Sequence, residues 1–261
     1  TYYTGNPWLG ALVAAIVGIG INLIFGVLSI NLGFDQVVTG LAITLMASGA
    51  TFYLYRAAFG WYVSPVPPHV ETTIENSPIP LLSRIPLIGS ILFDQTVFTY
   101  LAFPLIIITY YVLTKTSLGL KITSVGEDPL VSDYLGIDVY KVRHVTLVFE
   151  GALAGVAGAL LSISQGNMFL PNMTEGRGFI VIALIILGRW DPVKLLLATF
   201  LFSFTEALQL RIQAAGPEIV SWFPYQFALM LPYLVTLIAL IVAGRGVKSP
   251  KSLGEPYKRI R

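Results

Sequence analysis

Apolar and polar positions fall in long blocks along this chain rather than in the short cycles of a globular fold. Trp8–Ile30, Gln36–Tyr55, Thr96–Thr114, Val145–Gly166, Pro192–Leu210 and Pro224–Ala243 are runs with almost no charge. Each approaches the roughly 20 apolar residues that a helix needs to cross a bilayer. A further run, Gly178–Gly188, is too short to cross about 30 Å of hydrocarbon as one straight helix. Two readings of it stand. It is a broken or re-entrant helix bordering protein or water, or a tilted span that reaches back past Arg177 and Glu175 and carries charge inward. The pattern predicts an all-α polytopic membrane bundle, with about six to seven apolar segments in a single domain over 1–261.

A charged island, Lys115–His144, separates two of these runs, and Thr96–Thr114 before it and Gly151–Thr174 after it carry no charge. The island is expected to be a loop tethered to the bilayer at both ends. Within it, Glu127–Gly136 has the marks of a miniature helix. Asp128 is a good N-cap, Pro129 fits the first helical position and Gly136 supplies a left-handed stop. Leu130/Tyr134 and Val131/Leu135 are four apart and share a side, while Ser132 and Asp133 face elsewhere. A short capped helix pinned between two spans is suited to being pushed by something outside the membrane.

Charge distribution orients the chain. The tail 244–261 holds Arg245, Lys248, Lys251, Lys258, Arg259 and Arg261 against Glu255, which places it in the cytoplasm by the positive-inside rule. Alternation then puts the island inside, with Lys115, Lys121, Lys141 and Arg143, and puts Thr1 and the loop 56–95 outside. That loop carries Pro65, Pro67, Pro68, Pro78, Pro80 and Pro86. Proline favours defined extended or turn structure, which suits either a landing surface for an external protein or a structural lid. The chain opens without Met or a basic leader region, so membrane sequence upstream of Thr1 is expected.

Composition removes the soluble classes. Charged residues make up 11% of the chain, against about 25% in globular domains, and the mean hydropathy is +0.77. The chain contains no cysteine, which excludes disulfides and thiolate metal sites. It has no G-x-x-x-x-G-K-[ST] phosphate loop and so no sign of its own ATPase. Its two histidines, His69 and His144, are expected on loops on opposite sides of the membrane. A histidine metal site or a Ser/His/Asp arrangement has no support, and neither does enzymatic chemistry.

Small and polar residues within the spans give packing and pathway candidates. Gly10, Ala14, Gly18, Asn22 and Gly26 recur every four positions, as do Gly151, Gly155 and Ala159; such stripes let helix backbones approach closely. Gly40, Thr44, Ala47 and Thr51 form a more polar face that is a candidate pathway lining. Asn22 is expected to bond a neighbouring helix, and Glu150, one turn into its span, to serve structure near the surface. Glu206 and Gln209 share a face three residues apart, either in an outer vestibule or, for Glu206, in an ion pair with Arg211.

The island sequence VGEDPLVSDYLGIDVYKVRH, followed by EGALAGVAGALLS, resembles the coupling loop and following span of bacterial and archaeal ABC-importer permeases of the branched-chain amino acid, ribose and nucleoside group. Further stretches are similar to the nucleoside and simple-sugar permeases, specifically the shorter of two unlike permease subunits. These are IPLIGSILFDQ in the outer loop, the block TEGRGFIVIALIILGRWDPVKLLLATFLFSFTEALQLRIQ, and the ending SLGEPY. The resemblance covers essentially the whole chain and departs from the family at the front, where further membrane sequence is expected.

The resemblance implies a type II ABC-importer-like bundle forming half of a translocation pathway in the cell membrane, with a cytoplasmic C-terminus. A separate ATP-binding subunit would hold ATP and Mg, and this chain would carry no cofactor. A second permease subunit, identical or different, would complete the pore. An extracytoplasmic binding protein or lipoprotein would deliver a nucleoside or simple sugar, and no nucleic-acid polymer is implied. Glu127, Asp128, Pro129, Leu130, Asp133, Tyr134, Leu135 and Gly136 match the coupling position, with Leu130, Tyr134 and Leu135 as apolar anchors. Gly40, Thr44, Ala47, Thr51, Glu206 and Gln209 stay as the pathway candidates. The alternatives are a branched-chain amino acid permease and, in another class, an ion-coupled secondary transporter, for which the spans offer few paired acids.

Overall fold

The computed structural model describes residues 1–60, 69, 74, 77, 94–214, 225–243, 246 and 248–259, with the backbone alone at Gln165 and Tyr225. Most of the expected outer loop 56–95 therefore lies outside the described residues. The described helices are α1 (Pro7–Gly26), α2 (Gln36–Phe59), α3 (Val97–Lys115), α4 (Ser117–Glu127), α5 (Pro129–Tyr134), α6 (Val139–Leu160), α7 (Arg177–Leu187), α8 (Pro192–Ala214) and α9 (Tyr225–Ala243). Single wide π-helical turns, Val27–Asn31 and Leu161–Gln165, extend α1 and α6.

Local chemistry sets these ends. Asn6 accepts from the amides of Trp8 and Leu9 ahead of Pro7 at the start of α1. Asp35 accepts from Val38 N at 2.9 Å for α2, and Asp191 accepts from Val193 N and Lys194 N for α8. In each case a side-chain oxygen satisfies amides that the first helical turn leaves free.

Among the described residues five helical stretches are long and apolar enough to cross a membrane: Pro7–Asn31, Gln36–Phe59, Val97–Lys115, Val139–Ser164 and Pro192–Ala214. The count is slightly below the six to seven expected, because Arg177–Leu187 and Gln226–Val242 are shorter apolar helices. Large apolar side chains such as Val37, Leu45, Ile107 and Val242 are exposed, the inverse of a water-soluble fold and the arrangement a bilayer requires.

The chain divides into two compact units, Thr1–Leu105, Leu113–Glu175 and Lys251–Arg261 in one and Ile106–Val112 with Gly176–Pro250 in the other. In the first, α1 and α6 pack along their length. A Cβ on Gly155 would fall 2.7 Å from the carbonyl carbon of Ala14, and one on Gly151 2.6 Å from Gly18 O. The seam is thus backbone against backbone, as the small-residue stripes predicted. Asn22 Nδ2 donates across it to Leu147 O at 3.1 Å. A small apolar core of Ala11, Ile74, Ala159 and Ile163 lies beside it.

In the second unit α7, α8 and α9 pack on one another. The corner between α7 and α8 is tight, since a Cβ on Gly188 would sit 2.7 Å from the backbone of Leu195. The chain enters α7 through Glu175 (φ 47°) and Gly176 (φ 74°), and these left-handed residues stop any helix reaching back past Arg177. The tilted-span expectation therefore fails. At 11 residues, α7 rises only about 17 Å at 1.5 Å per residue.

The charged island departs from expectation as well. It is not a loop but two helices, α4 and α5, plus the first turns of α6. Thr116 caps α4 through Gly119 N and Asp138 caps α6 through Lys141 N, so α6 begins at Val139 and includes His144. That histidine is helical, with Nδ1 2.8 Å from Tyr140 O. Glu150 accordingly lies about three turns into α6 rather than one.

Candidate functional site

The site is built around α5, six residues long. Asp128 accepts from Val131 N at 3.0 Å, Pro129 takes the first helical position, and Gly136 has φ 82°. The Gly136 amide donates to Asp133 O and the Ile137 amide to Ser132 O, closing the C-terminal turn. Every capping device read in the sequence is at its place. Ser132 is buried and donates to Asp128 O at 2.8 Å.

The opposite side of α5 is bare. Leu130 and Val131 are exposed, and Tyr134 and Leu135 are 77% and 75% exposed. Glu127 ends α4 and is exposed, as is Asp128. The two i,i+4 apolar pairs thus form one uncovered strip on a segment flanked by α3 and α6, both long enough to cross a membrane.

Asp133 is different. Its side chain is only 15% exposed, because Arg259 from the tail grips both carboxylate oxygens, with Nε at 2.8 Å from Oδ2 and Nη2 on Oδ1. This guanidinium holds the Asp133 carboxyl below the usual carboxylate range, and the carboxylate holds Arg259 more firmly protonated. A depressed carboxyl contributes stability above its unfolded value of about 3.9, lost only as pH falls through the lower folded value. The pair is therefore intact throughout the neutral range.

The tail makes further contacts with the same segment. Ser252 N donates to Gly126 O at 3.1 Å, and Ser252 Oγ lies 2.7 Å from Gly126 O and 3.1 Å from Val125 O. Tyr257 is buried with Val125 and with Val139, which is 0% exposed, and its ring centroid lies 5.6 Å from that of Tyr140. Burial and the nearby Asp133 raise the Tyr257 phenol above its ordinary value. Arg143 Nη1 donates to Glu255 O at 3.3 Å. The two basic segments, island and tail, consequently share one side of the fold. Sequence reasoning missed this hub. In the sequence the tail shows only positive charge and a family-like ending, and nothing in its spacing pairs Arg259 with Asp133.

The pathway candidates lie on two helices, one in each unit. Gly40, Thr44, Ala47 and Thr51 lie on one face of α2, with Thr44 and Thr51 exposed. Their hydroxyls donate back along the helix, Thr44 Oγ1 to Gly40 O at 2.9 Å and Thr51 Oγ1 to Ala47 O at 2.8 Å. Glu206 and Gln209 are half-buried on α8, in the other unit. The partner of Glu206 is Arg177 of α7, whose Nη2 lies 2.9 Å from Oε1, not the expected Arg211. Arg211 lies one and a half turns beyond Glu206 along its own helix, whereas α7 brings Arg177 alongside.

No group of His, Cys, Asp and Glu able to hold a metal exists among the described residues.

Residues 1–241 match the family described as the permease component of branched-chain amino acid transport systems. The chain is 32% identical to the putative glucose ABC transporter permease protein TsgC13 of Haloferax volcanii, over 99% of this chain and 83% of that protein. It is 33% identical to the guanosine ABC transporter permease protein NupQ of Bacillus subtilis, over 96% of this chain and 77% of the relative. With the nucleoside ABC transporter permease protein NupC of Lactococcus lactis the identity is 34%, over 97% and 78%. No solved structure matches.

Proposed function

From the premise that the chain belongs to the family of branched-chain amino acid transport system permease components, we propose that it forms half of the membrane pathway of an ABC importer for a nucleoside or simple sugar. The observation that carries this is the capped helix α5, with its uncovered strip Leu130, Val131, Tyr134 and Leu135 between two membrane-length helices. Those side chains are anchors for a separate ATP-binding subunit, which holds the nucleotide and Mg. ATP-driven movement of that subunit pushes α5 and opens the pathway alternately to either side. The island and the tail, touching each other and both basic, face the cytoplasm, consistent with the positive-inside rule.

A second permease subunit completes the pore, and an extracytoplasmic binding protein or lipoprotein delivers the solute. The relatives named for glucose, guanosine and nucleosides support a neutral, hydroxyl-rich substrate. Gly40, Thr44, Ala47 and Thr51 on α2 offer small side chains and hydroxyl oxygens without fixed charge, the character such a route requires. Glu206, held by Arg177, presents an ion pair rather than a free acid and is a weaker pathway candidate.

The test is co-purification of the ATP-binding subunit with the permease carrying Leu130→Asp and Tyr134→Asp. Loss of the subunit from a permease that is still membrane-inserted is the expected result. Full retention would show that α5 does not dock it. Uptake of guanosine, glucose and leucine by the unmodified complex assigns the substrate class, and accumulation of leucine alone would replace the nucleoside or sugar assignment.

A further inference from the structure

We propose that the tail Lys251–Arg259 is a strap that fixes the angle of α5 and so makes ATP-driven motion reach α6. The proposal rests on the docking role of α5 given above. A helix of six residues cannot hold its own position, since isolated helices shorter than about 12–15 residues are marginal. Its outer strip is bare, so within this chain its orientation must come from the inner side and from its two ends.

The tail supplies contacts at three points. Ser252 sits on the last carbonyls of α4, at Val125 and Gly126, groups that a helix C-terminus leaves without intrahelical partners. Arg259 closes on both oxygens of Asp133 in the last turn of α5, a forked pairing that fixes direction as well as distance. Between these, Tyr257 is buried against Val125 of α4 and Val139 of α6. The tail carbonyls then take two donors from α6, Tyr140 Oη on Tyr257 O at 3.4 Å and Arg143 Nη1 on Glu255 O. One strand of tail therefore ties the end of α4, the end of α5 and the first turn of α6.

The mechanical consequence follows from what α6 is joined to. Its glycines lie backbone to backbone on α1, so α6 moves with α1 when it is displaced at its charged end. A push on the bare strip of α5 reaches α6 through the link 135–138, through the packing of α4 and α5 on α6, and through the strap. The link contains Gly136 in the left-handed region and is a turn, whereas the strap is anchored by side chains on both elements. Arg259 and Asp133 are thus positioning residues, acting on transport through α5.

The experiment uses the complete transporter, with its ATP-binding subunit, in membranes. The chain contains no cysteine, so Val145→Cys, exposed two residues beyond Arg143 near the charged end of α6, provides a single site within it for fluorescein maleimide. The reading is the ATP-dependent change in labelling rate, alongside ATP hydrolysis and retention of the ATP-binding subunit. Arg259→Glu is expected to keep the subunit and its hydrolysis while the ATP-dependent change falls at least about threefold, within the coupling range of contacting residues; Asp133→Arg, in the docking segment itself, is read only for the same fall in that change. The two together restore the pair with reversed charge and are expected to restore the change.

If Asp133→Arg is not recovered from membranes, Asp133→Asn and Arg259→Gln carry the same cycle. Their combined loss should then equal either single loss. An unchanged labelling response in the single variants overturns the strap, as does a wild-type α6 label that is blind to ATP. Loss of the ATP-binding subunit in Arg259→Glu without recovery in the swap overturns it too, because Arg259 would then contact that subunit directly. The docking role fails separately, by full retention of the subunit in Leu130→Asp with Tyr134→Asp, which the strap variants do not affect.

Discussion

The small-residue stripes of α1 and α6 cover each other, whereas the threonines of the α2 stripe are exposed. The first two recur every four residues and the third at intervals of four, three and four, so all three line one helix face. On α1 and α6 the stripe is almost wholly Gly and Ala, and its one strongly polar member, Asn22, donates across the seam to Leu147 O. On α2 the polar members are threonines whose hydroxyls return to their own helix. An asparagine amide in a membrane needs a partner on another element. A threonine bonded back along its helix does not. Spacing shows that a face can accept a close neighbour, and the polar residue on it shows whether the fold has supplied one. Among the described residues Thr44 and Thr51 are exposed on α2, open to lipid, a second subunit or a passing solute.

The sharpest way to break that contrast is to fill the covered seam. Gly155→Leu places a branched side chain against the backbone of Ala14 and Ala15, where a helix cannot give way. Overpacking costs about 1–3 kcal/mol and sometimes more, and here the upper end, about 3 kcal/mol, is expected because the obstacle is main chain. Thermal denaturation of the permease in detergent should show it. Gly158→Ala is the control on the same helix, since nothing lies within 4 Å of that Cβ, and it should cause no loss. Equal stability of Gly155→Leu and Gly158→Ala would mean that α1 and α6 do not meet at this glycine.

Filling the bare face should do the opposite. Thr44→Trp is expected to leave stability within about 0.5 kcal/mol, as for substitutions away from packed features. It is expected to abolish uptake by the assembled transporter while basal ATP hydrolysis continues. Uptake at the wild-type rate, in a complex that carries the tryptophan, would remove α2 from the route.

Legibility in the sequence follows the same division. The apolar runs, the α1–α6 stripes, the Asn22 bond and the cap–proline–glycine frame of α5 were readable because each is local or periodic. The contacts of the tail were not, because Ser252 reaches Gly126 and Arg259 reaches Asp133 over more than a hundred residues with no repeat to announce them. The helix α4 was hidden for another reason. Leu118, Ile122 and Val125 do recur at helical spacing, but the island's charge reads as a loop between spans. The partner of Glu206 was not legible, because Arg211, one of the two readings offered, is near in sequence while Arg177 is near in space. Long-range pairing of charges is decided by which helices pack, and that is settled by the apolar contacts of α7, α8 and α9.

The smallest expected difference is also the most direct test of the contrast. Asn22→Ala removes a donor that crosses the seam to the Leu147 carbonyl, which keeps its donor within α6. Interhelical hydrogen bonds in membranes average about 0.6 kcal/mol by double-mutant cycles, and a loss of that size is expected here. Thr44→Val removes a hydroxyl of similar polarity that bonds only to Gly40 O of its own helix. The carbonyl keeps its backbone donor from residue 44, valine matches threonine in shape, and no neighbouring helix loses a contact, so no measurable loss is expected. Both variants can be compared in one detergent by equilibrium unfolding. A clear loss for Thr44→Val, equal to or greater than that for Asn22→Ala, would mean that the α2 face is covered after all. The place to look for its cover would then be the second permease subunit, since among the described residues only Phe25 comes within 4 Å of a Cβ on Gly40.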